Sequence, residues 1–240
     1  MASVIVSVKN VADWLGICAP VVVEAAMGTV DRDVCDARLA NWAPRVLARA
    51  GVTLEVLGQE HLAANRPMVL MSNHASFYDI PVVYAVFGGK LRMVAKKELF
   101  RIPIVGGAMR GAGMIEVDRN DRSKAIGNLD KGARALFESG SSVWIAPEGT
   151  RSTTGTLGPF KKGGFYLALR GRLPILPISI KGTFALLPPH SVGTRTKVPV
   201  AVTIHEPIDT GSFATAAAGD EKAAVARLME VVRVAIASGL

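Results

Sequence analysis

His74 and Asp79 stand five residues apart in the stretch Asn73-His74-Ala75-Ser76-Phe77-Tyr78-Asp79, which lies between the apolar runs Met68–Met71 and Ile80–Val83. A neutral imidazole takes up a proton near physiological pH, and a carboxylate beside it fixes its tautomer. Five residues of ideal helix turn through about 500°, which leaves two such side chains roughly 140° apart. They meet only if His74 lies in the turn before a helix and Asp79 lies in its first turn or two. A strand ending near Ser72 and a helix beginning near Ser76 supply that arrangement. A polar loop with an incidental histidine is the plain alternative, so the rest of the chain decides.

A second polar block, Pro147-Glu148-Gly149-Thr150-Arg151-Ser152, follows the apolar run Val143–Ala146. Gly149 permits close approach of backbone to a ligand. Thr150 and Ser152 offer hydroxyls, and Arg151 offers a planar fork that matches phosphate oxygens. Glu148 repels a phosphate, so its suited roles are to orient an arginine or to accept a bond from a substrate hydroxyl. An ordinary Gly-Thr turn is the competing reading. Between the blocks, the strand-like Gly113–Val117 delivers Asp118-Arg119. That pair is either structural, or Arg119 reaches an anion beside Arg151.

The elements that must position these residues are legible in outline. Strands are expected at 52–57, 68–72, 91–95, 113–118, 142–146, 175–180 and 198–204. Helices are expected at 77–88, 128–139, 163–170 and 221–238, several of them stopped by glycine. In the last, Ala224, Leu228, Val232 and Ala235 share a face. Short apolar strands alternating with helices predict an α/β fold, a mostly parallel central sheet covered by helices. Sites in such sheets lie at the carboxyl ends of strands. His74, Arg119 and Glu148 each follow an apolar strand, so they are candidates to converge there.

Residues 1–50 read as an N-terminal helical segment broken near 28–33, and residues 51–240 as the α/β domain. Val11–Val30 is apolar but carries Asp13, Glu24 and Pro20. That makes it a poor spanning helix and favours a soluble or interfacial one. Further on, Arg38, Arg45 and Arg49 fall on one helical stripe beside Cys35, Leu39, Val46 and Ala50, with Trp42 at the border. Such a face suits either the bilayer interface or a protein core. Pro44 argues against one straight helix there.

The net charge of +8 is unevenly spread. Residues 90–134 hold eleven Lys or Arg against five acids, and residues 151–197 hold eight against none. Anionic partners follow: a phosphorylated metabolite, an anionic membrane or nucleic acid. No nucleic-acid motif is present and aromatics are only 6%, which disfavours the last. Cys18 and Cys35 show neither metal spacing nor a disulfide framework, which suits a reducing compartment.

Taken in order, these blocks resemble the glycerophosphate acyltransferase family, specifically its 1-acyl-glycerol-3-phosphate (lysophosphatidic acid) acyltransferases. The Asn-His-x4-Asp block is matched by Asn73, His74 and Asp79. The Asp-Arg block is matched by Gly113 through Arg119, Pro-Glu-Gly-Thr-Arg-Ser by Pro147–Ser152, and the Pro-bracketed strand by Pro174–Pro177. Lys96–Leu99 and Phe160–Gly163 match two connecting features, so the resemblance runs from about residue 52 to 205. The first fifty residues match loosely.

The resemblance implies direct acyl transfer. His74 would take the proton from a free hydroxyl of a lysophospholipid, and Asp79 would hold the imidazole. The oxygen would attack the thioester of acyl-CoA or an acylated carrier protein, with no covalent enzyme intermediate and no nucleophilic role for Ser76. Arg119, Glu148, Gly149, Thr150 and Arg151 would bind substrate, with Lys96 and Lys161 as further cations. It implies no cofactor beyond the thioester and no metal. It also implies an anionic membrane partner, reached peripherally from the cytoplasmic face by the arginine-edged helix and residues 90–134.

Glycerol-3-phosphate, a lyso-ornithine lipid or another lysophospholipid is an alternative acceptor. A metal-dependent hydrolase built on His74, Asp79 and Glu148 lacks paired-histidine spacing among the four histidines. A non-catalytic binder of anionic lipid is the reading from another class.

Overall fold

Alternate residues of each central strand enter different cores, and this period of two builds the molecule. Leu70, Trp144, Leu176, Ile178 and Ile180 point to one face of the sheet, where they meet Trp42, Ala43, Val46, Leu47, Val82 and Val83. Val69, Met71, Val143, Ile145 and Ile175 point to the other, against Phe165, Leu167, Ala168, Val225, Leu228, Val232 and Ile236. Because both faces are covered, the central strands are apolar throughout.

The computed structural model describes residues 2–63, 66–88, 90–118, 137–138, 140–216 and 219–240. Strand β1 (Ala2–Ser3) leads into helix α1 (Val4–Ala26), followed by α2 (Arg32–Arg49). Then come β2 (Thr53–Leu57), β3 (Val69–Ser72), α3 (Asp79–Phe87), β4 (Leu91–Lys96), α4 (Val105–Gly111), β5 (Ile115–Val117) and β6 (Ser142–Ile145). Helix α5 (Gly163–Gly171), β7 (Ile175–Lys181), α6 (Thr183–Leu186), β8 (Thr194–Arg195), β9 (Pro199–Ile204), α7 (Thr210–Ala216) and α8 (Glu221–Ser238) complete the order.

The large sheet runs β2-β9-β7-β3-β6-β4-β5. Strands β7, β3, β6, β4 and β5 are mutually parallel, β9 is antiparallel to β7, and β2 is parallel to β9. The expected α/β fold with a mostly parallel sheet is therefore the observed one, with β3 at its centre. The helix expected at 128–139 falls largely outside the described residues. Helices α4, α6 and α7 have no counterpart in the sequence reading. In α8, Ile236 is buried where Ala235 was expected.

The N-terminal helices require two corrections. Helix α2 is a core helix: its apolar face carries Cys35, Trp42, Ala43, Val46 and Leu47, all buried. Arg38 pairs with Glu24 at 2.5 Å and Arg49 with Asp13 at 2.6 Å, so two of its three stripe arginines are tied to α1 in half-buried ion pairs. It also runs unbroken through Pro44. The boundary at residue 50 thus marks the first strand of the large sheet, while the core continues across it.

Helix α1 begins at Val4, before the apolar window read from the sequence, and is long and apolar enough to cross a membrane. Asp13 and Glu24 do not interrupt its outer surface, because both turn inward to Arg49 and Arg38. Val4, Ile5, Val8, Val11, Leu15 and Val23 face outward and are exposed. In the described part of the basic stretch, residues 90–118, several cations are paired with acids. Arg92 is buried against Asp36, Lys90 pairs with Asp33, and Lys97 pairs with Asp118.

Candidate active site

Strand β3 ends at Ser72, whose hydroxyl accepts from Trp144 Nε1 at 3.0 Å and donates to the Asn73 carbonyl at 3.0 Å. The Asn73 amide then copies a strand pairing: Nδ2 donates to the Ile180 carbonyl and Oδ1 accepts from the Ile180 N–H, both at 2.8 Å. These bonds satisfy a polar side chain that is only 5% exposed and turn the chain out of the sheet. His74 emerges at the carboxyl end of the central strand, its ring against the edge of Trp144 at 5.8 Å and 86°.

Asp79 opens α3 and is fully buried. Its Oδ2 receives three donors: His74 Nδ1 at 2.7 Å, the Ala75 N–H at 2.7 Å and the Ser76 N–H at 2.9 Å. An anion in the first helical turn is also favoured by the helix dipole. Because an ionised carboxylate only accepts, the network assigns the proton to Nδ1 and leaves the Nε2 lone pair free. Oδ1 is buried without a hydrogen-bond partner among the described residues. The geometry is that of a base and its orienting carboxylate.

Strand β6 pairs directly with β3, so the second polar block arrives beside the first. Glu148 Oε1 accepts the His74 N–H at 2.8 Å and Oε2 accepts the Gly158 N–H at 2.7 Å. The Ser152 N–H donates to the His74 carbonyl at 2.7 Å. Both polar groups of the His74 backbone are thereby gripped by this block. Burial pushes the Glu148 carboxyl above its ordinary value, and the two backbone donors oppose that rise. Glu148 orients the backbone of His74, a contact the sequence reading did not foresee. A Cβ at Gly158 would lie 2.8 Å from Glu148 Oε2, so this position has no room for a side chain.

Arg151 lies over the Phe77 ring, Cζ 3.8 Å from the centroid, a cation–π arrangement. Partial burial lowers its pKa, and the Asp79 charge opposes that shift. No carboxylate pairs with it among the described residues, so its fork remains available. Gly149 has φ +74°, and Lys161 packs its stem where a Cβ would stand, at 3.3 Å. The Lys161 N–H is anchored on the Pro147 carbonyl at 2.7 Å. Thr150 and Lys161 are exposed at the rim.

Lys96, also exposed, ends β4, two strands from β3, roughly 10 Å across the sheet. Arg119 lies outside the described residues. The structure thus joins His74, Asp79, Glu148, Gly149, Arg151 and Lys161 by contact and sets Lys96 and Thr150 on the surrounding edge. Ser76 is fully buried, and its hydroxyl donates to the Leu187 carbonyl at 2.9 Å, which argues against a nucleophilic role. Phe77, Tyr78 and Trp144 were missed as site residues. The one signal for Phe77 was a large apolar side chain inside a polar turn.

A mostly parallel α/β sheet with a His–Asp pair at its central strand, flanked by an arginine turn, matches the Acyltransferase family model over residues 53–181. That is more than half of the 240 residues, and the chain belongs to this family.

Among its relatives is the 1-acyl-sn-glycerol-3-phosphate acyltransferase of Saccharomyces cerevisiae, 36% identical over 162 residues, which are 67% of this chain and 53% of that protein. The chloroplastic 1-acyl-sn-glycerol-3-phosphate acyltransferase BAT2 of Brassica napus is 36% identical over 179 residues, 74% of this chain and 51% of that one. The chain spans about half the length of these curated relatives. The crystal structure of the 1-acyl-sn-glycerophosphate (LPA) acyltransferase PlsC from Thermotoga maritima gives a TM-score of 0.75 at 25% identity, covering 98% of this chain and 93% of that chain.

Proposed function

We propose that this chain transfers a fatty acyl group from acyl-CoA or an acylated carrier protein to the free hydroxyl of 1-acyl-glycerol-3-phosphate. The products are phosphatidic acid and the free thiol. The observation that carries this reading is His74 with Nδ1 held by the buried Asp79 at 2.7 Å, beside an arginine fork with no acidic partner among the described residues. His74 Nε2 takes the hydroxyl proton as the oxygen attacks the thioester carbonyl carbon. The tetrahedral intermediate collapses, the C–S bond breaks, and the imidazolium returns its proton to the departing thiolate. Asp79 stabilises the imidazolium meanwhile. No cofactor enters the scheme. Arg151, stacked on Phe77, would take the acceptor phosphate, joined by Thr150 and Arg119. The exposed Lys96 and Lys161 suit the phosphates of CoA or an acidic carrier protein.

The acceptor is a membrane lipid, and the outward apolar face of α1 supports docking in the bilayer interface. Its inward face carries Asp13 and Glu24 in ion pairs with the body. A spanning α1 would strip these acids from their partners and leave Asp13 near the helix centre, where a charge costs about 2.5–3.5 kcal/mol. We therefore favour peripheral attachment, on the cytoplasmic face where soluble thioesters are found.

The test is acyl transfer from labelled acyl-CoA to 1-acyl-glycerol-3-phosphate on vesicles, with glycerol-3-phosphate and lyso-ornithine lipid alongside, for wild type and His74→Ala. Turnover on the first acceptor is expected, falling about 10²–10⁴-fold in the variant. Turnover on another acceptor alone would replace the substrate. A folded His74→Ala protein keeping more than about a tenth of wild-type turnover would remove His74 as the base.

A further inference from the structure

Apart from the exposed Phe77, each residue of the turn between His74 and Asp79 is held, and one of the anchors comes from an unexpected element. His74 is gripped by Glu148 and Ser152, the Ala75 and Ser76 amides by Asp79, and the Ser76 hydroxyl by the Leu187 carbonyl. The remaining polar anchor is Tyr78, immediately before Asp79 and 4% exposed. Its hydroxyl accepts from Asn10 Nδ2 at 2.7 Å and donates to Thr194 Oγ1 at 3.1 Å.

Asn10 belongs to α1. Its Oδ1 accepts from Arg49 at 2.7 Å, and Arg49 in turn pairs with Asp13 at 2.6 Å. Ser7, one turn earlier, bonds Thr194 twice: through the two hydroxyls at 2.9 Å, and by accepting the Thr194 N–H at 3.1 Å. Ser7, Asn10 and Asp13 therefore form a polar inner face on a helix whose outer face is apolar. Burial raises the Tyr78 phenol pKa, which keeps its proton available for Thr194.

Apolar docking of α1 is already supplied further along, where Cys18 and Val21 pack on Cys35, Ala108 and Ala112. Ser7, Asn10 and Asp13 precede that seam; Asn10 touches the catalytic turn directly, Ser7 reaches it through Thr194, and Asp13 braces Arg49 beside Asn10. Hydrogen bonds linked in this way, most of them half-buried, restrain what they join.

We propose that α1 is a positioning element of the active site: Asn10, through the Tyr78 hydroxyl and with Thr194 as second support, fixes the backbone that presents Asp79 to His74. Asn10 and Tyr78 touch no substrate; they act through Asp79. The role rests on reading His74 and Asp79 as the acyl-transfer pair. Misplacement of a catalytic group by 1 Å costs on the order of 10²-fold, so partial release of the turn gives a smaller loss.

Tyr78→Phe, Asn10→Ala and the double variant are compared on vesicle-borne 1-acyl-glycerol-3-phosphate, with vesicle binding measured in parallel. Tyr78→Phe keeps the buried ring. A fall in kcat of about tenfold is expected in each single variant, with KM for both substrates within about twofold and vesicle binding unchanged. The double variant should be no worse than the worse single, since both cut one connection. Amide hydrogen exchange at Ala75 and Ser76 should speed up in Tyr78→Phe while the β3 and β6 amides keep their protection.

Wild-type kcat in both singles, losses that multiply in the double, or vesicle binding that falls in step with activity would each overturn the proposal. Should Tyr78→Phe fail to fold, Asn10→Ala alone carries the test through its kcat, KM, vesicle binding and exchange at Ala75 and Ser76. Exchange is read without substrate. A silent wild-type enzyme would therefore refute the acyl-transfer reading, while the exchange rates alone would decide the positioning role.

Discussion

Asp79→Asn isolates charge from shape at the centre of the site. Asp79 is fully buried, and one oxygen receives the His74 ring and two backbone amides at 2.7–2.9 Å. An amide oxygen in that place keeps all three bonds, and its NH₂ occupies the position of Oδ1, which has no partner among the described residues. The cost to the fold is therefore one buried NH₂ group whose two donors lack partners, on the order of 1–3 kcal/mol for the group. The larger effect is on the charged imidazolium formed during proton transfer. A carboxylate about 4 Å from a cation in a medium of effective dielectric 20 contributes about 4 kcal/mol. At 1.36 kcal/mol per decade, this corresponds to a loss of about 10³ in kcat. The assay is single-turnover acyl transfer with both substrates saturating, together with thermal unfolding. A folded variant within about tenfold of wild type would refute the claim that Asp79 acts by its charge. A similar kcat loss accompanied by a large rise in either KM would show instead that the site had been rearranged.

Arg151→Ala should raise KM for the phosphorylated acceptor well beyond any change for the thioester, and Phe77→Leu should do the same more weakly by removing the platform under the guanidinium. Equal effects on the two substrates would argue against a phosphate contact. Replacing Val8, Val11 and Leu15 by Gln on the outer face of α1 should weaken binding to anionic vesicles with little change in thermal stability, because these side chains are exposed. Replacing Arg38 and Arg49 should instead lower thermal stability, since their half-buried pairs with Glu24 and Asp13 join α2 to α1. Vesicle binding unchanged by the first set would remove α1 as the docking surface.

The contrast between the two N-terminal helices shows what a sequence can and cannot reveal here. The central strands were legible because each is short, largely apolar on both faces and followed by a turn signal. The His74–Asp79 geometry was legible because a rotation argument left one way for the pair to meet, at a strand–turn–helix junction, which is where it lies. Periodicity also separated the polar and apolar sides of both helices. It did not say which side faces inward, because that depends on partners far away in the chain. In α2 the arginine stripe looked like a membrane edge until Glu24 and Asp13 supplied counter-charges from α1. In α1 the same two acids looked like interruptions of an apolar surface, although they are the inner contacts of a helix with an apolar exterior. The two misreadings are one error, since a single set of ion pairs decides both faces. Glu148 follows the same logic. Its carboxylate looked like a group for an arginine or a substrate hydroxyl, and only the pairing of β6 with β3 reveals that its acceptors are filled by the amides of His74 and Gly158. The chemistry of each residue was readable locally, but its orientation was set by contacts between segments that the sequence keeps apart.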